Sequence, residues 1–276
     1  MNVKKIVTIA GSDSLAGGGI QADLATFSEY QFQGLSAITS IVTVIDDDFQ
    51  INVIDSNILS DQLDSIFALD NIAAIKVGLL STKNQVTVVA NFLEQFKNIV
   101  PIVIDPVMVF KETNNVDTKE LLAAIQTKLL PMATIVTPNL EEASLLSGME
   151  IHNQDDLTVA AKKIKQFGAK AVLAKGGARL SGATTFDVLI DENAQGHALE
   201  HERLATNTNN GAGCTLSSAI ACELGRQVSM RDAVESAQMF VLAAIKDGVQ
   251  LNQKFKVGNV WQGAQRAVYG EKCNEK

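Results

Sequence analysis

The run Asn210-Gly211-Ala212-Gly213-Cys214-Thr215 opens directly into Leu216-Ser217-Ser218-Ala219-Ile220-Ala221, and no other stretch of the chain carries as much chemistry. Small residues there let backbone amides close around an anion. A helix N-terminus adds unpaired N–H groups and a partial positive charge, which suits a phosphate. The same field predicts a lowered pKa for the thiol of Cys214. An anion cradle beside an activated proton acceptor points to phosphoryl transfer.

Other polar residues cluster where apolar runs end: Gly11-Ser12-Asp13, Asp105-Pro106, Pro138-Asn139 and Lys175-Gly176-Gly177. Lys175 after a buried strand can reach a phosphate as a point charge, with glycines that allow close backbone approach, or it can be a solvated turn lysine. Asp105 reads as a functional acid or as an ordinary cap. Asn139 and Glu142 stand three apart at the start of a helix. That spacing makes either a capping box or a pair of oxygen ligands, direct or through water, for Mg²⁺ near phosphates. His197 and His201 have zinc-helix spacing but sit in a segment that reads as a strand, where four residues separate them by about 13 Å; they read as surface histidines, as does His152. The chain has no Walker loop. Gly17-Gly18-Gly19-Ile20-Gln21-Ala22 matches a dinucleotide fingerprint, with Asp46 where a ribose-binding acid would lie. A nicotinamide-dependent oxidoreductase is therefore the rival from another class. Against it, Gly11–Ala16 intrude where a tight turn is required, and Lys175 and the cysteine turn are left without a role.

The elements that must position these groups follow a βαβα rhythm. Strands are expected at Ile6–Ala10, Ala37–Ile45, Ile72–Val77, Val100–Asp105, Thr134–Thr137 and Ala171–Ala174. Helices are expected at Ile20–Tyr30, Thr118–Leu130 and Asp155–Phe167, with further stripes at Ile58, Leu63, Ile66 and Phe67 and at Val86, Val89, Phe92, Leu93 and Phe96. This predicts a mostly parallel sheet with helices on both faces. Thr184–Ile190 and His197–Leu204 flank Asp191–Gly196 as a hairpin. Helices Gly213–Gly225, Met230–Asp247 and Val260–Val268 close the chain. In such sheets ligands collect outside the carboxyl ends of the strands, where the polar residues fall, so they define one rim.

The chain has 276 residues, 46% hydrophobic and 20% charged, with no repeat and no Pro/Ser-rich linker, so one domain over 1–276 is expected. A net charge of −8 argues against a nucleic-acid or anionic-membrane partner. The apolar run after Lys4 and Lys5 is too short for a signal peptide, and no run reaches membrane-spanning length. Three cysteines without a Cys-x-x-Cys give neither a disulfide framework nor a zinc site, which predicts a cytoplasmic protein.

From end to end the chain resembles the ribokinase-like kinases, in the branch of hydroxymethylpyrimidine (phosphate) kinases and the Gram-positive type of pyridoxal kinase. The residues that carry this are Thr8-Ile9-Ala10-Gly11-Ser12-Asp13, Gly19-Ile20-Gln21-Ala22-Asp23-Leu24, Asp105-Pro106-Val107-Met108-Val109, Thr137-Pro138-Asn139-Leu140-Glu141-Glu142-Ala143, Lys175-Gly176-Gly177 and Gly211-Ala212-Gly213-Cys214-Thr215. The resemblance implies an α/β/α three-layer sandwich, ATP and Mg²⁺, room for a monovalent cation, and a homodimer. It implies that Gly11, Ser12 and Asp23 lie against a heteroaromatic alcohol. Asn139 and Glu142, with Asp105 close by, would organise Mg²⁺ and phosphates, and Lys175, Asp187 and Gly213 would meet the nucleotide. Gly211, Ala212 and Gly213 would form the anion hole, and Cys214 would be the base.

Within the branch, Val44-Ile45-Asp46-Asp47 replaces the Gln-Asn-Thr of pyrimidine kinases, and Lys76-Val77-Gly78-Leu79-Leu80 replaces their Lys-Thr-Gly-Met-Leu. Together with the Gly-Ala-Gly-Cys turn, this points to phosphorylation of the 5′-hydroxymethyl group of pyridoxine, pyridoxal or pyridoxamine. Hydroxymethylpyrimidine kinase activity is the alternative. Phe110 stands where the pyridoxal kinases can carry a lid cysteine, and Asn210 replaces their usual histidine. Both departures predict a preference shifted toward pyridoxine or pyridoxamine, which lack an aldehyde.

Overall fold

The computed structural model describes residues 3–45, 48–108, 116–177, 184–253 and 257–264. Among the described residues nine strands make one continuous sheet: β1 (Lys5–Asp13), β2 (Gln33–Ile45), β3 (Asp48–Val53), β4 (Ile72–Val77), β5 (Ile102–Ile104), β6 (Ile135–Val136), β7 (Ala171–Lys175), β8 (Thr184–Ile190) and β9 (Gly196–Glu202). Their order is β3-β2-β1-β4-β5-β6-β7-β8-β9. From β2 to β7 every neighbouring pair is parallel, and the outer strands β3, β8 and β9 add on antiparallel.

The helices are α1 (Gly19–Glu29), α2 (Ser56–Phe67), α3 (Lys83–Leu93), α4 (Val116–Ala124), α5 (Leu140–Ser147), α6 (Gln154–Lys165), α7 (Ala212–Gly225) and α8 (Met230–Lys246). Because side chains alternate along a strand, the central strands feed two separate cores. Val7, Ile9, Ile75, Val77, Ile102 and Ile104 face α2 to α6, while Ile6, Ala74 and Val103 face α1, α7 and α8. The result is the expected three-layer α/β/α sandwich, closed by local signals. Asp55, Thr82, Asn153 and Ser229 each cap the helix that follows by accepting a backbone N–H.

The direction in which strands are added to the sheet reverses at β1. The connection through α1 leads to β2 on one side, and the connection through α2 leads to β4 on the other. The gap above the carboxyl ends of β1 and β4 is therefore a topological switch point, where open sheets of this kind bind ligands.

Three elements differ from the sequence expectation. β3 begins at Asp48, in a stretch for which the sequence reading places no element, and Phe49-Gln50-Ile51-Asn52-Val53 alternates in the manner of an edge strand. The helix expected to reach Leu130 ends at Ala124 and widens into a π turn over Ile125–Leu129 and a 3-10 turn over Leu130–Met132, where Pro131 has no N–H to donate. Val260–Val268 is not helical at its start. Asn259 bridges to Asn210 and Val249, Gln262 and Gly263 form a turn, and Ala264 is helical; residues 265–268 lie outside the described residues. Phe110 and Asp46 also lie outside them.

Candidate active site

A cavity of about 680 Å³ opens over the carboxyl ends of β1 and of β4 to β7. Its wall brings together Gly11, Lys76, Asp105, Asn139, Glu142, Lys175 and the turn Asn209–Cys214, which are distant in sequence. Val42, Phe49, Leu79 and Val107 line the apolar part. The single rim inferred from the strand ends is thus present.

The glycine turn is fixed by backbone contact. Gly211 caps α7 at φ +85°, and a Cβ there would stand 1.7 Å from the Gly17 carbonyl oxygen. No side chain fits either constraint. On the facing loop, a Cβ on Gly17 would meet Asn210 Nδ2 at 1.9 Å. Gly17, the first glycine of the run that matches a dinucleotide fingerprint, therefore serves to seat one loop on the other. Asn210 donates to Asn259 Oδ1 at 3.1 Å, and Asn259 donates to the Leu15 carbonyl at 2.9 Å, which ties both loops to the chain after α8. Ala212 N–H donates to the Asn209 carbonyl at 3.2 Å and Thr215 N–H to the Gly211 carbonyl at 2.9 Å, which leaves the amides of Gly213 and Cys214 without a partner in their own helix; Gly211, Ala212, Gly213 and Cys214 all line the cavity.

Two lysine–aspartate pairs flank this turn. Lys175 Nζ lies 3.2 Å from Asp105 Oδ1, over Gly213, whose added Cβ would stand 3.3 Å from it. Thr137 Oγ1 also donates to Asp105 Oδ1, at 3.3 Å, and Ser217 Oγ to Asp105 Oδ2, at 3.3 Å. On the other side, Lys76 Nζ lies 2.9 Å from Asp23 Oδ2. Thr8 Oγ1 donates to the same oxygen at 2.6 Å, and Ser218 Oγ to Oδ1 at 2.7 Å. Thr8 and Lys76 are register partners on β1 and β4, so both side chains point to the α1 and α7 face where Asp23 waits.

Several sequence expectations change here. Asp23 does not reach the cavity: it is wholly buried beneath it and serves as counter-ion to Lys76, which does line the wall. Ser12 accepts from Gln21 Nε2 at 2.8 Å and lies off the wall, while its neighbours Gly11 and Asp13 line it. Asp187 also lies behind the wall. Its carboxylate accepts from the Gly176 amide at 3.1 Å and from Gln238 Nε2 at 2.9 Å, so it holds the loop after β7. His201 packs 3.5 Å from that carboxylate and is not the surface histidine its position suggested; His197 pairs with Asp191 at 2.9 Å.

Asn139 and Glu142 do form a capping box, with Glu142 N–H donating to Asn139 Oδ1 at 3.0 Å and Asn139 N–H to Glu142 Oε2 at 2.8 Å. Both residues also line the cavity. Burial pushes the Glu142 carboxyl up to about 7; Lys175 pulls it back, Asp105 raises it, and the Asn139 and Met108 amides lower it again.

The thiol departs furthest from expectation. Cys214 is half-buried, and burial pushes its pKa up to about 11. Lys76 opposes this, Asp105 and Asp23 reinforce it, and a backbone hydrogen bond from Gly19 opposes it. The helix field alone predicted the reverse; desolvation of a thiolate outweighs it here. Lys76 itself is held protonated: burial disfavours its charge, but the Asp23 carboxylate more than offsets this. One signal could have singled Lys76 out, since it is the sole charged residue in the strand Ile72-Ala73-Ala74-Ile75-Lys76-Val77.

The phosphomethylpyrimidine kinase family model matches residues 13–259. The pyridoxine kinase of Bacillus subtilis is 42% identical over 258 residues, covering 92% of this chain and 94% of the relative. Among solved structures, an ADP complex of Bacillus subtilis pyridoxal kinase superposes with a TM-score of 0.90 at 40% identity, covering 96% of this chain and 99% of the other. Pyridoxal kinase from Staphylococcus aureus, in complex with AMP-PCP and pyridoxal, superposes with a TM-score of 0.89 at 35% identity, covering 97% and 96%.

Proposed function

This chain belongs to the phosphomethylpyrimidine kinase family, and from that premise we propose that it transfers the γ-phosphoryl group of ATP to the hydroxymethyl group of pyridoxine, pyridoxal and pyridoxamine. It is an ATP-dependent phosphotransferase with an alcohol acceptor. The observation that carries the reading is the make-up of the cavity wall. It combines Lys175 and the α7 turn with the apolar surfaces of Val42, Leu79 and Phe49, and Cys214 lines the same wall. The first group suits a polyphosphate and the second a flat heteroaromatic ring.

In the reaction the acceptor oxygen attacks the γ-phosphorus as the bond to ADP breaks. The Gly211–Cys214 amides and Lys175 stabilise charge on the transferring group, and Cys214 Sγ accepts the hydroxyl proton. The transition state is loose, so positioning and electrostatics dominate and the base has a late, limited task. Burial leaves Cys214 protonated at rest, so its own proton first passes to solvent and the thiolate then accepts the hydroxyl proton. Asn139, Glu142 and Asp105 would hold Mg²⁺. The donor set is hard oxygen, and among the described residues no group of three or more His, Cys, Asp or Glu forms a protein cage for a metal. Mg²⁺ ordinarily binds through one or two carboxylates, water and substrate phosphate, so the residues fit it. When bound it neutralises phosphate charge. A homodimer, a cytoplasmic location, a monovalent cation and a single domain over 1–276 belong to the same proposal.

The second reading, phosphorylation of hydroxymethylpyrimidine and its monophosphate, rests on the family whose model the chain matches. Side-by-side kinase assays on the three B6 vitamers and the two pyrimidines decide between them. Turnover on the pyrimidine monophosphate alone sinks the first reading.

A further inference from the structure

The two lysine–aspartate pairs at the glycine turn are joined to one helix by adjacent residues: Ser217 reaches Asp105, and Ser218 reaches Asp23. Lys175 explains the first pair, because it faces the phosphates. The second has no such role. Lys76 is a charged residue in the middle of the sheet, wholly buried at the side-chain level, as is Asp23. A buried pair of this kind is weak evidence for stability, since apolar residues of similar volume often serve as well. Lys76 nevertheless stands among the residues that line the cavity, together with Cys214.

Its position is over-determined. Asp23 holds it at 2.9 Å, and an added Cβ on Gly78 would come within 2.9 Å of Nζ, so the backbone after β4 closes on it. Asp23 is held in turn by Thr8 on β1 and by Ser218, one turn beyond Cys214 on α7. The charge is thereby locked to the helix that carries the thiol. An ammonium has three donors and Asp23 takes one, and in this dry setting its charge acts on neighbouring groups with little screening by water.

We propose that Lys76 is a positioning residue for phosphoryl transfer, a fixed ammonium at the cavity that stabilises the Cys214 side chain as the thiolate that accepts the hydroxyl proton. This rests on the reading of Cys214 as proton acceptor. In the step, the O–H proton passes to the sulfur as the new O–P bond forms and the bond to ADP breaks, with the electron pair leaving on ADP. The proton then returns to solvent. The charged groups that face Cys214 are Lys76 from β4, Asp23 from α1, Asp105 after β5 and Lys175 from β7. The two aspartates raise the thiol, and Lys76 is the leading charge that lowers it.

The test is the pH dependence of iodoacetamide labelling at Cys214, read by peptide mass spectrometry on the folded full-length chain. Lys76→Met should move the labelling midpoint up by about one unit, a roughly tenfold loss of labelling rate below the midpoint. Lys76→Met leaves Asp23 buried without a partner and can unfold the chain. The double variant K76M/D23N leaves no unpaired charge; a smaller upward shift is expected, because Lys76 is the larger influence and losing the Asp23 charge offsets part of its loss. An unchanged or lowered midpoint in the double variant overturns the inference. The turnover-against-pH profile should shift in the same direction with the KM for ATP unchanged, which a merely structural role would not produce. Failure of the underlying reading looks different: Cys214→Ala with undiminished turnover removes the thiol from the mechanism, whatever the labelling shows.

Discussion

The two lysine–aspartate pairs around α7 use the same residue types to different ends. In the Lys76–Asp23 pair both side chains are fully buried, and the aspartate accepts from three donors at 2.6 to 2.9 Å. In the Lys175–Asp105 pair the lysine side chain is 13% exposed, the contacts run from 3.2 to 3.3 Å, and Glu142 stands nearby. The first is short, dry and saturated, which suits a charge that must not move. The second is looser and open to the cavity, which suits a lysine that must leave its aspartate for a phosphate. Burial sets the difference, because the cost of separating charges rises as water is excluded.

The strongest way to break this contrast is to remove one partner from each pair. Asp23→Ala should lower unfolding free energy by about 3–5 kcal/mol, since it strands a buried ammonium. Chemical denaturation measures this, and a loss no larger than that of a surface variant would end the description of the pair as structural. Lys175→Met should instead act on turnover, lowering kcat by roughly 10²–10³ as expected for a lost electrostatic donor. Its stability loss should be clearly smaller than that of Asp23→Ala. Steady-state kinetics beside a thermal melt separates the two effects.

The serines sharpen the comparison. Ser218→Ala removes a 2.7 Å bond to a buried carboxylate and should destabilise by about 1.5–3 kcal/mol. Ser217 Oγ lies 3.3 Å from Asp105 and 3.0 Å from the Cys214 carbonyl, so its one proton is shared. Ser217→Ala should cost about 1 kcal/mol or less. Equal losses would show that the two pairs are mechanically alike.

The smallest expected effect concerns Glu142. Its carboxyl is raised from 4.5 to about 7 by burial, so between these values the folded chain binds more protons than the unfolded chain. Stability from this group is therefore present below about pH 4.5 and lost as pH rises through about 7. Glu142→Gln should flatten that part of the pH–stability curve and raise the Mg²⁺ concentration needed for half-maximal turnover. An identical Mg²⁺ titration would leave Glu142 with its capping role alone.

Much of the architecture was legible in residue order. The apolar runs and helical stripes place the six parallel strands and the helices that cover them, because period and length are local properties. The edge strand β3 was obscured by the acidic run before it, although Phe49 from that strand became part of the cavity wall. The end of α4 depended on Pro131 and on packing further along the chain.

What the sequence determined by itself is the chemistry at the strand ends: glycines that permit a tight anion turn, a thiol at a helix N-terminus, Lys175, and the Asn139–Glu142 box. These follow from residue type and spacing, which act over a few residues. Which carboxylates face the ligand was decided by the tertiary structure alone. Asp23 and Asp187 carry the same group as Asp105, yet one lies under the floor and the other behind the Gly176 loop. Lys76 became a cavity residue only when β1, β4, α1 and α7 met around Asp23. The thiol shows the same division. A local helix field favours the thiolate, but desolvation depends on everything packed nearby, and it raises Cys214 to about 11.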